Sequence, residues 1–102
     1  MEQNFREKIY TLTAQIPAGK VATYGQLALL AGSPRASRIA GAAMYRAPAG
    51  LPCHRVVYAS GRLSPPDVFG PGIQRALLEQ EGVPFLPDGR VDLAACLWRG
   101  TE

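Results

Sequence analysis

What this sequence lacks narrows it first. Its 102 residues hold two cysteines, Cys53 and Cys96, and a single histidine, His54. That set has neither metal-ligand spacing nor a disulfide framework, so no metal and no cofactor is expected, and both thiols should be free. No apolar run approaches the ~20 residues of a membrane span, so no membrane partner is expected. The N-terminus, Met1 to Lys8, is polar and of mixed charge, with no apolar signal core. The cytoplasm is the expected compartment, at the nucleoid if the cell is bacterial. One sign of charge is also missing over a long stretch. Between Lys8 and Pro66 there is no Asp or Glu, while Lys8, Lys20, Arg35, Arg38, Arg46, Arg55 and Arg62 all fall there. Residues 63–102 set Arg75, Arg90 and Arg99 against Asp67, Glu79, Glu81, Asp88, Asp92 and Glu102. A basic part in a small chain points to a polyanionic partner. A solvated basic face with no partner is the alternative.

What is present suits one globular domain over residues 1–102, expected to be a monomer. The hydrophobic share is 47%, ordinary for a folded protein. A chain of this length buries roughly two-thirds of its unfolded surface. Phe5, Ile9, Leu12 and Ile16 lie on one face of a first helix that Pro17 ends. Thr23-Tyr24-Gly25-Gln26 fits a capping box, opening a short helix that stops at Gly32. Ser33 with Pro34 predicts a third helix from Arg35 to about Tyr45. Its Ala36, Ile39, Ala40 and Ala43 should form a small apolar stripe, and Arg35 and Arg38 should lie one turn apart. Two short helices across a Gly-Ser-Pro turn have a helix-turn-helix layout, although an ordinary helix pair with solvated arginines has it too. Arg55 to Tyr58 reads as a short strand, and Ser64 to Gly72 as a loop. Ile73, Ala76, Leu77 and Gln80 predict a further helix closed by Gly82. Val83 to Leu86 and Arg90 to Asp92 flank a Pro-Asp-Gly turn, and Leu93 to Trp98 should pack back on the core. The expected fold is mainly α with a small β element, a winged helix-turn-helix-like single domain.

The chemical signal is Leu51-Pro52-Cys53-His54-Arg55-Val56-Val57. On an extended strand the side chains of Cys53 and His54 would point to opposite faces. A turn at Pro52 would let His54 take the Cys53 proton, directly or through water, and a thiolate is the nucleophilic form. Cys96, between Ala95 and Leu97, reads as a buried, inert thiol.

From Tyr24 to Gly82 the chain resembles the C-terminal, DNA-binding domain of the O6-alkylguanine-DNA alkyltransferases. The matching pieces are Gly19 to Ala28, Ser37 to Met44, Pro52-Cys53-His54-Arg55-Val56-Val57 and Leu78 to Gly82, in the same order and with a two-residue shortening before Pro52. The resemblance implies a partner, double-stranded DNA containing O6-alkylguanine, bound through its minor groove. It implies that Tyr24 presses on the phosphate of the target nucleotide and that Arg38 fills the space a flipped base leaves. The small Ala36, Ala40, Gly41 and Ala43 would let that helix approach the groove closely, with Arg35 a further DNA-binding candidate beside Arg38. Cys53 would accept the alkyl group, His54 and Glu81 would relay its proton through a water, and Pro52 and Arg55 would support the site. The reaction would be that of a single-turnover methylated-DNA–protein-cysteine methyltransferase. A base inside a duplex cannot be attacked, which is why flipping is needed.

Three departures qualify that pattern. No counterpart of the N-terminal domain of many members is present in the 102 residues. Ala47 stands where active transferases have an Asn that braces the cysteine turn. The loop Leu63 to Gly70 lacks the Tyr and Gly-Gly that close the base pocket. The short length, the Arg75-to-Gly82 helix and the Leu97-Trp98-Arg99 ending resemble the alkyltransferase-like proteins. These bind and flip alkylated guanine without transfer and mark it for nucleotide excision repair proteins. They carry Trp or Ala where this chain has Cys53, so transfer and sensing both remain open, as does a DNA-binding domain without lesion recognition.

Overall fold

The structure is a computed structural model that describes residues 4–100. Met1 to Gln3, Thr101 and Glu102, with the charges of Glu2 and Glu102, lie outside the described residues. It is mostly helical with a two-stranded sheet. Among the described residues no helix is long and apolar enough to cross a membrane.

Helix α1 runs Phe5–Gln15. The Asn4 side chain caps it by accepting from the Glu7 amide at 2.8 Å, and the chain turns extended at Ile16, just before Pro17. Ile9 and Ile16 are fully buried. Strand β1, Ala22–Thr23, leads straight into α2, Tyr24–Leu30. Both halves of the capping box form: the Gln26 amide donates to Thr23 Oγ1 at 3.0 Å, and the Thr23 amide donates to Gln26 Oε1 at 3.2 Å.

Helix α3 is shorter than its sequence suggests. It spans Ser37–Met44, not Arg35 to Tyr45. The Ser33 side chain does not cap it; instead the Ala36 amide donates to the Ser33 carbonyl at 2.9 Å, folding Pro34 and Arg35 into a turn. Arg35 therefore precedes the helix that carries Arg38. The later start also resets the buried face, which is Ala40, Ala43 and Met44, while Ile39 is 60% exposed. Ala40 and Ala43 face the core and are closed to a DNA groove.

A 3₁₀ turn, Cys53–Arg55, precedes strand β2, Val56–Val57. The predicted strand from Arg55 to Tyr58 is thus cut at both ends. β2 pairs in parallel with β1, Ala22 opposite Val56 and Thr23 opposite Val57. Val21 makes a parallel bridge to Leu97 on the other side. The predicted Ser64–Gly72 loop contains a one-turn helix, α4, Pro66–Phe69, begun by Pro at its first position. Helix α5, Ile73–Gln80, forms, but Ile73 and Ala76 face solvent and Gln74 and Leu78 face inward. Buried backbone groups that need a polar partner there decide the helix's rotation. An antiparallel bridge, Phe85 to Val91, closes the Pro87-Asp88-Gly89 turn. Helix α6, Leu93–Cys96, returns Trp98 to the core, where it is 1% exposed.

Two apolar clusters result. One gathers Ile9, Ile16, Leu27, Ala40, Met44, Val56 and Trp98 between the first three helices. The other gathers Val21, Val57, Leu78, Val83, Val91 and Cys96 under α5 and the C-terminal turn.

Candidate functional site

The parallel sheet positions the site. Because Thr23 pairs with Val57, the residues that follow, Tyr24 and Tyr58, are neighbours, and their rings lie 5.3 Å apart at 55°. They form part of the wall of a cavity of about 480 Å³ that also meets Arg38, Gly41, Tyr45 and Ser64. That volume falls within the roughly 300–1,000 Å³ of small-molecule sites. Tyr24 is buried and its hydroxyl is hydrogen-bonded to that of Ser64 at 2.6 Å. Burial pushes its pKa up despite the Ser64 bond, so the hydroxyl stays neutral. A Cβ on Gly41 would stand 3.9 Å from the Tyr24 ring, an ordinary contact. The small size of Gly41 therefore matters for the open cavity and not for helix packing.

Arg38 stands exposed on α3, and Arg35 stands exposed in the turn before it. Neither makes an ion pair with a described residue. Ala36 is the half-buried first cap of α3.

The 3₁₀ turn does not line that cavity but is joined to its Ser64 wall through the Gln74 side chain. Pro52 ends the extended approach, the Cys53 amide donates to the Leu51 carbonyl at 2.8 Å, and the Arg55 amide donates to the Pro52 carbonyl at 3.0 Å. The chain is therefore not extended at Cys53 and His54, and strand alternation does not govern them. Cys53 is 8% exposed, and burial pushes its thiol above the ordinary pKa, so the resting group is protonated. His54 Nε2 lies 2.9 Å from Glu81 Oε2. Glu81, at the C-terminal cap of α5, also receives Arg55 in a fork: Nε to Oε1 at 3.0 Å and Nη2 to Oε2 at 2.6 Å. Arg55 Nη1 donates to the Ile16 carbonyl at 2.8 Å, tying the site to the end of α1. Hydrogen bonding from Arg55, more than from His54, holds the Glu81 carboxyl below the ordinary carboxylate range. An ionised Glu81 accepts from His54 Nε2–H, and in the neutral ring Nδ1 is then the acceptor.

Gln74 was not among the residues singled out by sequence. It is 4% exposed, and its Nε2 donates to the carbonyls of His54 and Val56, each at 3.1 Å. Its Oε1 accepts from the Ser64 amide at 2.8 Å. One amide thus ties the 3₁₀ turn, β2, α5 and the cavity loop together. The available signal was its position four residues before Leu78 on the same helical face. Tyr45 and Tyr58 were not singled out either, since the sequence marks them only as the end of a helix and the end of a short strand.

Comparison with known proteins decides the family. Residues 4–83 match the family model described as 6-O-methylguanine DNA methyltransferase, DNA binding domain. This chain belongs to that family. Within it, the chain is 44% identical over 102 residues to a DNA base-flipping protein of Escherichia coli K12, covering 95% of this chain and 76% of that one. It is 34% identical to alkyltransferase-like protein 1 of Schizosaccharomyces pombe, covering 93% of this chain and 94% of that protein. A methylated-DNA–protein-cysteine methyltransferase of Cricetulus griseus is 36% identical over 78% of this chain, which spans only 39% of its length. Among solved structures, an S. pombe protein in complex with damaged DNA containing O6-carboxymethylguanine superimposes with a TM-score of 0.81 at 33% identity. The match covers 97% of this chain and 99% of that one. The mostly helical architecture with its small sheet is therefore the architecture of this family's DNA-binding domain.

Proposed function

We propose that this chain, as one alkyltransferase-type domain of 102 residues, binds duplex DNA and turns an O6-alkylguanine out of the stack into the Tyr24–Tyr58 cavity. The observation that carries this reading is that cavity, with Arg38 on its wall making no ion pair with a described residue, and with the turn of Cys53 and His54 joined to its Ser64 wall through the Gln74 side chain. The names of its relatives, base-flipping and alkyltransferase-like, support the same reading. Flipping costs a few kcal/mol, least for a lesion that pairs poorly. Arg38 enters the vacated space, and Arg35, Ala36 and Gly41 form the groove-facing surface beside it. Tyr24 guides the nucleotide's phosphate, which requires its Ser64 hydrogen bond to open. Phosphate contacts dominate the affinity, so binding weakens steeply with salt.

In this reading Cys53 accepts the alkyl group. The Sγ–carbon bond forms as the carbon–O6 bond breaks, and the electron pair stays with the guanine. The thiol proton leaves toward His54 Nδ1, and the restored guanine regains one proton, so no cofactor is consumed. Glu81 orients His54, Arg55 holds Glu81, and Pro52 shapes the turn. Intact-protein mass after incubation with a duplex carrying one O6-methylguanine tests this. The expected result is a gain of one methyl that Cys53→Ser abolishes.

A second reading is favoured by the burial and raised pKa of Cys53 and by Ala47 in the place of the bracing Asn. Here the chain is a monomeric cytoplasmic or nucleoid sensor that holds the lesion for nucleotide excision repair proteins without transfer. Tight, lesion-selective binding with no mass change would select it.

A further inference from the structure

Tyr58 has a position that neither the core nor the Cys53 chemistry explains. It is 43% exposed, yet its backbone is locked. Its amide donates to the Arg62 carbonyl at 3.0 Å, and its carbonyl accepts from the Gly61 amide at 2.8 Å. That turn is itself fixed against the C-terminal half. The Val91 amide donates to the Gly61 carbonyl at 2.9 Å, and a Cβ on Gly61, at φ +89°, would stand 2.6 Å from the Val91 carbonyl oxygen. The register of β2 against β1 then holds the Tyr58 ring beside Tyr24 at the cavity wall. An exposed aromatic ring on a rigid mount, facing a cavity, is a preorganised surface for another flat ring.

We propose that Tyr58 is a further binding residue whose ring stacks on the everted base. This rests on the base-flipping reading above. Stacking on an aromatic side chain is tolerant of base identity, so Tyr58 sets how tightly any flipped base is held, and Arg38 and Tyr24 set how readily it leaves the duplex. Tyr58 acts only while a base is present in the cavity, and this separates it from residues that grip the backbone.

The test compares Kd for three duplexes of one sequence: undamaged, with one O6-methylguanine, and with an abasic site at that position. The variants are Tyr58→Leu and Tyr58→Phe, with thermal melts to confirm folding. Stacking predicts that Tyr58→Leu weakens binding of the methylguanine duplex by about 5- to 150-fold. It predicts that Tyr58→Phe retains the affinity and that the abasic duplex changes by less than about twofold. Equal losses on methylguanine and abasic duplexes would make Tyr58 merely structural and overturn the proposal. So would a Tyr58→Leu protein that matches the parent while the parent still prefers the lesion. A parent with no lesion preference would overturn the base-flipping reading itself, and the proposal with it.

Discussion

The two arginines nearest the site sit in opposite circumstances. Arg55 is 18% exposed and spends every face of its guanidinium: two bonds to Glu81 and one to the Ile16 carbonyl. Arg38, seventeen positions earlier in the same acid-free stretch, is exposed on α3 with no ion pair to a described residue. One region, the 3₁₀ turn with α5, is an anchored frame in which Arg55, Glu81 and Gln74 all have partners. The other, α3 with the cavity mouth, leaves Arg38 with no ion pair to a described residue. A fold that satisfies itself on one side and not on the other keeps its binding capacity where its own groups do not consume it.

If that contrast holds, substitutions in the frame should cost stability, and those on the open face should cost binding. The largest loss is expected for Arg55→Ala, about 3 kcal/mol by urea unfolding at pH 7, because it strands a half-buried Glu81 and the Ile16 carbonyl together. The pH dependence follows from Glu81. Its carboxyl has a depressed pKa in the folded protein, so the stabilisation is complete above the ordinary carboxylate value and disappears as pH falls through the depressed one. The gap between parent and Arg55→Ala should therefore persist from neutral to mildly acid pH and close only under stronger acid. A gap that stayed constant into strong acid would remove Glu81 from the account.

Gln74→Leu should cost somewhat less, about 2 kcal/mol. It leaves the His54 and Val56 carbonyls and the Ser64 amide without their partner, while leucine restores the lost volume. Unfolding at the parent's midpoint would show that water takes over those bonds. The smallest effect on stability belongs to Arg38→Ala, within about 0.5 kcal/mol of the parent. The same variant should weaken DNA binding about tenfold and flatten its salt dependence. A destabilised Arg38→Ala protein would place this arginine in the frame and erase the contrast.

Much of the local structure was legible in order of residues. The capping box at Thr23 and Gln26, the stop at Pro17 and the glycine closures depend on neighbours three or four positions apart, so the sequence displays them. The start of α3 was misread because Ser33 and Pro34 form a good cap signal that a competing backbone turn overrides. Ile39 lies on the apolar stripe and Ile73 on the periodic pattern of its helix, yet both are exposed, since periodicity reports that a helix has an apolar face and not which neighbour it will meet. The motif around Cys53 was legible as chemistry, but its 3₁₀ geometry was not.

By itself, then, the sequence determined the helical segments, the acid-free surface and the family to which the chain belongs, because these rest on local spacing and on residue identity. Only the tertiary structure decided which residues meet across distance. The pairing of Thr23 with Val57 set Tyr24 beside Tyr58, and the rotation of α5 turned Gln74 inward and brought Glu81 to both His54 and Arg55. The physical reason is that buried polar groups must find partners, and those partners lie 10 to 39 residues away in the chain, beyond any local pattern.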